Sequence, residues 1–136
     1  MSNWVLDRQT TIYSKAKAML TAELKSKYPD LYITDNGETV SNPKFPSIYI
    51  NFLQPIERGQ DLENISINAI YLTAEVQVTV TTAQGMNVAR EVSYTVTDVF
   101  KSMRFNATMP DFNNDGDGTK RMIARYSRII GYNDSI

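Results

Sequence analysis

A run of strict alternation between residues 70 and 81 constrains this chain more than any other feature of its sequence. Six apolar residues, beginning with Ile70 and ending with Val80, alternate there with six others, from Tyr71 to Thr81. Successive side chains of a strand point to opposite faces, so the pattern predicts a long strand with one buried face. Such a strand exceeds the usual length of about five or six residues. It needs a partner of similar length, or else it overhangs its own domain.

Two other segments have helical periodicity. Residues 5–28 place their apolar side chains on one stripe of a helix, which Pro29 ends. Residues 85–103 repeat that spacing, and their β-branched residues lower the intrinsic helix propensity. We therefore expect the second helix to depend on packing against the rest of the fold.

The remaining segments predict short strands and one long connection. The strands are expected at residues 31–34, 47–53, 104–109 and 119–132. No clean period runs through residues 55–68, which indicates a long irregular loop. The order of these elements predicts one α+β domain over residues 1–136. Its sheet is expected to be mostly antiparallel, with about five strands and two helices packed on one face.

The composition excludes several classes of function. The 136 residues include no Cys and no His, which removes disulfides, thiolate or imidazole metal ligands, and the usual nucleophile–base pairs. No nucleophile or phosphate-binding motif is present, so we expect no enzyme activity and no cofactor. The formal net charge is −1, so no net attraction to nucleic acid or to an anionic membrane is expected. The first residues do not resemble a signal peptide, and no apolar run is long enough to span a bilayer.

One polar segment matches a chemical motif in part. Oxygen-bearing side chains occupy positions 1, 3, 5 and 7 of a calcium loop of the EF-hand type: Asp111, Asn113, Asp115 and Asp117. The twelfth position is Met122, where such a loop has a bidentate Glu. A hairpin turn uses the same residue types. A calcium site and a plain turn therefore both remain open.

The last predicted strand is basic. It carries Lys120, Arg121, Arg125 and Arg128, with no acidic residue from 119 to 131. Such a stripe can face phosphate or an acidic protein surface. Alternatively, it is the solvated face of an edge strand, where basic residues oppose aggregation. In an ideal strand Arg121 and Arg125 share one face and Arg128 points to the other.

The candidate interface residues come from three predicted segments, namely the irregular loop, the polar face of the long strand and the last strand. They are Glu57, Arg58, Asp61, Glu63, Glu75, Gln77, Arg121 and Arg125. A loop of this length is often functional, and a polar strand face can contact a partner.

The layout of the whole chain resembles that of a known family. Four stretches carry the resemblance, in this order: Phe45-Pro46-Ser47-Ile48-Tyr49-Ile50, the long strand Ile70–Val80, Val99-Phe100-Lys101-Ser102-Met103-Arg104-Phe105, and Arg125-Tyr126-Ser127-Arg128-Ile129-Ile130-Gly131. Together with the N-terminal helix, they are similar to the tail terminator, or tail-completion, proteins of tailed bacteriophages. Those proteins are single α+β domains of similar length.

The resemblance implies a non-catalytic protein that forms a ring, expected to be a hexamer, on the finished tail tube. Its partners would then be further copies of itself, the tail tube protein, and a head-closure or connector protein, with DNA passing close by in the ring lumen. The protein would be assembled in the host cytoplasm and found in the virion, at the head-proximal end of the tail. Two other functions remain open, namely another phage neck or head–tail joining protein, and a calcium-binding α+β domain.

Overall fold

The alternating segment forms the longest strand of the structure, a computed structural model that describes residues 3–35, 44–60, 67–108, 111–115 and 118–136. Within these ranges the chain forms two helices and seven strands. In order they are α1 (Asn3–Leu24), β1 (Tyr32–Thr34), β2 (Ser47–Phe52), β3 (Ile56–Gln60), β4 (Ile67–Thr81), α2 (Gly85–Ser102), β5 (Asn106–Ala107), β6 (Asp111–Asp115) and β7 (Thr119–Gly131). Over these described segments, neither helix has an apolar stretch long enough to cross a bilayer.

All of the strands described belong to one sheet. Its main path runs β1–β2–β4–β7–β5, while β3 pairs with β4 beyond the end of β2, and β6 pairs with β7 beyond the end of β5. β1 and β2 are parallel, and every other described pair is antiparallel. The prediction of a mostly antiparallel α+β fold is confirmed.

The long strand β4 has a partner of nearly its own length. Its residues 69–81 pair antiparallel with β7 without interruption. Its other edge is taken by β2 along residues 74–79 and by β3 within residues 67–71. Of the two alternatives for so long a strand, the long partner is confirmed and the overhang is wrong. Another subunit cannot pair along most of β4, because both edges are already hydrogen-bonded.

One face of the sheet packs against the helices, as predicted. In β4 the even-numbered residues from 70 to 80 are at most 1% exposed, and those of β7 from 122 to 130 are buried too. α2 packs directly on these two strands, and α1 packs on α2. The apolar side chains of all four elements form one hydrophobic core, whose burial drives folding.

The centre of that core is aromatic. The ring of Phe100 on α2 stacks on Tyr126 of β7, with 4.7 Å between the ring centroids. Phe105 meets Phe100 edge-on, with centroids 5.3 Å apart. The hydroxyl groups of Tyr126 and Thr97 lie 2.8 Å apart, so the polar end of the buried tyrosine has a partner. These contacts hold α2 in place and offset the modest helix propensity of its β-branched residues.

Two strands lie where the sequence predicts none. The predicted loop over residues 55–68 is wrong in part, because residues 56–60 form β3 and residues 67–68 begin β4. Residues 61–66 of that loop lie outside the described residues. β6 occupies residues 111–115, where the sequence predicts a turn. Both strands are held by main-chain hydrogen bonds to a long neighbour, and such bonds require no alternating side-chain pattern.

Candidate functional site on the open face of the sheet

The face of the sheet turned away from the helices carries the odd-numbered residues of β4 and β7, and we call it the open face. In β4 the odd-numbered residues from 69 to 81 are all partly exposed. In β7, Arg125 and Ile129 are exposed. An antiparallel sheet can pack one face on a core and leave the other in water, so this surface is available to a partner.

Four polar side chains on the open face are joined by hydrogen bonds. Arg125 donates from Nε to Oε2 of Glu75 over 3.1 Å, and its Nη2 lies 3.0 Å from the same oxygen. Nε2 of Gln77 donates to Oε1 of Glu75 over 3.4 Å, and Nη1 of Arg121 donates to Oε1 of Gln77 over 3.1 Å. We call these four residues the polar ladder. All four are among the predicted interface candidates, and the structure brings them together.

The register of β4 and β7 builds the polar ladder. Glu75 and Arg125 lie directly opposite each other on the two strands. The side chain of Glu75 is 17% exposed, whereas that of Arg125 is 60% exposed. The carboxylate of Glu75 thus lies beneath the guanidinium of Arg125. Charge-assisted hydrogen bonds to this carboxylate hold the guanidinium in place. The polar ladder therefore offers a positioned cation at the surface of the sheet.

The basic residues of the last strand are divided between the two faces, as predicted. Arg121 and Arg125 lie on the open face, and Arg128 lies on the helix-covered face with 7% of its surface exposed. Glu75 compensates the charge of Arg125, so the open face is not a continuous basic stripe. The alternative of an edge-protecting stripe is wrong, because β7 pairs with β4 on one side and with β5 and β6 on the other.

Two rows beyond Glu75 and Arg125, the open face carries an apolar group. Ile56 of β3, Tyr71 of β4 and Ile129 of β7 lie side by side in register across three strands, and we call them the apolar row. Ile56 is 53% exposed and Ile129 is 59% exposed. This group was not predicted from the sequence. The available signal was the Ile129–Ile130 pair, because two neighbouring residues of a strand cannot both face the core.

The lysines of the chain avoid the open face. Of the seven, four lie in α1 or the turn after it and one lies on α2. The others are Lys44, before β2, and Lys120, at a helix-side register position of β7. Lysine is depleted at protein interfaces, whereas Tyr and Arg are enriched there. The described part of the open face therefore resembles an interface in lacking lysine and in carrying Tyr71, Arg121 and Arg125.

Of the remaining interface candidates, two lie on described residues. Glu57 and Arg58 lie on β3, in register with the early residues of β4 at the end of the sheet that carries the apolar row. Asp61 and Glu63 lie outside the described residues.

The partial calcium motif does not form a loop. Asp111, Asn113 and Asp115 lie on β6, whose backbone is paired antiparallel with β7, and Asp117 lies outside the described residues. A loop of the EF-hand type curls around its ion, and the extended, paired backbone of β6 does not fit that alternative. The turn predicted over residues 111–118 is wrong for residues 111–115, and residues 116–117 lie outside the described residues. Gly118, directly before β7, has a φ of +78°, a conformation that favours glycine. Among the side chains that the structure describes, no three acidic groups come together to hold a metal ion.

A separate cleft of about 380 Å³ lies between the first turns of α1 and the residues that follow β7. Trp4 and Tyr132 line it, with their rings edge-on and their centroids 5.6 Å apart. Arg8 donates a hydrogen bond of 2.8 Å to the carbonyl oxygen of Tyr132. These contacts hold the residues after β7 against α1, which is a structural role.

Comparison with known proteins assigns no family. No protein-family model matches the chain. No curated protein matches it either. Twelve solved chains do match. One of them covers 88% of this chain and 92% of its own length at 13% sequence identity, with a TM-score of 0.49. Its name describes no activity, and a similarity this weak carries no argument about function.

Proposed function

We propose that this chain is the tail terminator of a tailed bacteriophage, a non-catalytic subunit that forms a ring on the tail tube and presents a joining surface to a head-closure or connector protein. Two things support the proposal, the layout of the chain and the geometry of the open face. The polar groups described there are bonded to one another, which suits binding better than proton transfer.

One observation carries the proposal: the open face holds its polar groups in place and leaves the apolar row exposed. A surface whose side chains are already positioned loses little conformational entropy when a partner binds. Ile56 and Ile129 are both more than half exposed, and covering them removes apolar area from water. A ring repeats the same contact at every subunit boundary, so each contact can be modest while the assembly is stable.

The edges of the sheet favour contact through a face over contact by added strands. The strands at its outer edges have at most five residues each in the part of the chain described. Short edge strands offer few free main-chain groups to another chain. We therefore place the assembly contacts on the open face.

Negative-stain electron microscopy tests the proposal directly. Purified protein mixed with tail tubes should bind at one end of the tube and appear there as a ring. Ile129→Lys should reduce this end binding, because it puts an ammonium group into the apolar row. Leu6→Lys is the matched control, since Leu6 lies on α1 and is 62% exposed, against 59% for Ile129.

The outcomes separate the proposal from its alternative. Protein that neither forms rings nor binds tubes would overturn the tail terminator assignment. Binding to a connector ring, without binding to tubes, would favour another neck or head–tail joining protein.

A further inference from the structure

Three consecutive rows of the open face pair residues of matching chemistry. Each row joins one residue of β4 to the residue of β7 directly opposite. Along the strands, the rows are Glu75 with Arg125, Thr73 with Ser127, and Tyr71 with Ile129. The first row is an ion pair, the second joins two hydroxyl groups 3.1 Å apart, and the third pairs the ring of Tyr71 with the exposed Ile129. In each of these three rows, the side chain on β4 is therefore complementary to the side chain on β7.

Complementary strands make the open face complementary to itself. Two stacked sheets can be related by a two-fold axis that lies between them, parallel to the strands and midway between β4 and β7. The rotation places β7 of one copy over β4 of the other, at the same level along the strands. Each residue then meets the copy of its own row partner, so that Arg125 meets Glu75, Ser127 meets Thr73, and Ile129 meets Tyr71.

The spacing of stacked sheets permits these contacts. Sheets pack about 10 Å apart, with their strands turned by about 30° relative to one another. Rows on one face are about 7 Å apart, so a turn about the middle row moves the outer rows by about 3.5 Å, which long side chains can span. The side chain of Arg125 is 60% exposed. Its Nε and Nη2 face Glu75 of its own chain, and a guanidinium carries further N–H donors for the Glu75 of a second copy.

We propose that two free copies of this chain associate through their open faces as a two-fold dimer. The inference does not rest on the proposed function, because it requires only a second copy. The absence of lysine from the described part of the open face fits such a partner, since a dimer would bury an unpaired ammonium group at a cost. The dimer covers the apolar row of both copies.

Two single charge reversals test the dimer when they are mixed. Glu75→Arg leaves arginine at both positions of the first row, and Arg125→Glu leaves glutamate at both. Each variant repels its own copy across the two-fold axis, so its dimer should be at least about tenfold weaker than the wild-type dimer. In an equal mixture the two variants attract each other, and sedimentation equilibrium should show a heterodimer. The intrachain ion pair stays broken in both variants, so repaired folding cannot explain this recovery.

A second pair of variants tests the dimer independently, in case the two charge reversals do not fold. Ile129→Glu puts a charge into the apolar row and should abolish the dimer. Leu6→Glu makes the same change on α1 at a residue of similar exposure, and it should leave the dimer intact. Circular dichroism shows which variants are folded. If Glu75→Arg and Arg125→Glu do not fold, the comparison of Ile129→Glu with Leu6→Glu decides whether the dimer forms through the open face.

Two results would overturn the dimer. One is a wild-type chain that stays monomeric at about 100 µM, where a dimer of micromolar Kd is nearly complete. The other is a wild-type dimer that Glu75→Arg and Arg125→Glu both retain. A mixture of these two variants that forms no heterodimer counts in the same way, since either result would place the contact on another surface. Tube binding by the same samples is scored separately. A monomeric chain that still forms rings on tubes contradicts the dimer and leaves the proposed function standing.

Discussion

Arg128 of β7 donates a hydrogen bond of 3.0 Å from Nη1 to the carbonyl oxygen of Met103, the residue that follows α2. A second bond, from Nη2 to the carbonyl oxygen of Ser135, is 2.8 Å long. Burial lowers the pKa of Arg128 below its usual value, and the nearby charge of Asp134 opposes that effect. One buried guanidinium thus ties the last strand to the end of the second helix and to the residues after β7.

Replacing Arg128 by methionine should lower the free energy of unfolding by about 2–4 kcal/mol, because both hydrogen bonds from a charged donor are lost. The methionine fills part of the space but leaves the two carbonyl oxygens without this donor. Arg125→Met makes the same change at an exposed position of the same strand and should cost about 1 kcal/mol or less. Urea unfolding measures both variants. Equal losses would contradict the tying role of Arg128.

Phe100→Ala should lower the free energy of unfolding by about 3–5 kcal/mol, as expected for removal of a buried aromatic ring. The ring is fully buried between Tyr126 and Phe105, so the substitution leaves a cavity that rigid neighbours cannot fill. Tyr94→Ala, on the same helix at a residue that is 50% exposed, should cost about 1 kcal/mol or less. Denaturant titrations compare the two. A similar loss in the free energy of unfolding for both variants would show that Phe100 is not a central residue of the core.

Tyr28, in the turn after α1, links the alkaline stability of the chain to a contact with α2. Its hydroxyl donates to Glu91 of α2 over 2.7 Å. Burial, followed by this bond and the charge of Glu91, raises the pKa of Tyr28 to about 12. The pKa of tyrosine in an unfolded chain is about 10, so the folded chain keeps a proton that the unfolded chain loses. The stabilisation is complete below pH 10 and is lost as the pH rises through about 12.

The urea concentration at the unfolding midpoint should therefore fall less steeply above pH 10 in Tyr28→Phe than in the wild type. At neutral pH the substitution should lower that midpoint, because it removes the bond to Glu91. Tyr94→Phe, at an exposed tyrosine of α2, should leave the wild-type pH profile unchanged. A wild-type slope retained in Tyr28→Phe would show that other groups cause the alkaline loss.

Reversing both arginines of the polar ladder should impair ring formation on tubes while the fold survives. Arg121→Glu combined with Arg125→Glu places a carboxylate directly opposite Glu75, with an expected loss of stability of about 1 kcal/mol. The defect should depend on salt, because salt screens the new repulsion. Arg90→Glu combined with Lys101→Glu changes the net charge equally on exposed positions of α2 and should spare assembly. If both double variants assemble alike, the polar ladder is not an assembly contact.

Local periodicity was enough to predict part of this fold. The alternation of residues 70–81 and the helical spacing of residues 85–103 predict β4 and α2, because the direction of each side chain follows from the backbone geometry of its own segment. The same rule predicts that Arg121 and Arg125 share one face while Arg128 points to the other, which the structure confirms. The sequence could thus predict which residues share the open face.

The tertiary structure decided which of those residues become neighbours. Glu75 and Arg125 are 50 residues apart in the chain, and they meet only through the register of β4 against β7. The apolar row crosses three strands and depends on the same register. β3 and β6 form because long strands offer them main-chain partners, so no side-chain pattern marks them. Periodicity belongs to one segment, whereas register is selected when the buried face of the whole sheet packs against the helices. The sequence by itself therefore determined the faces, and only the folded chain decided the contacts made across them.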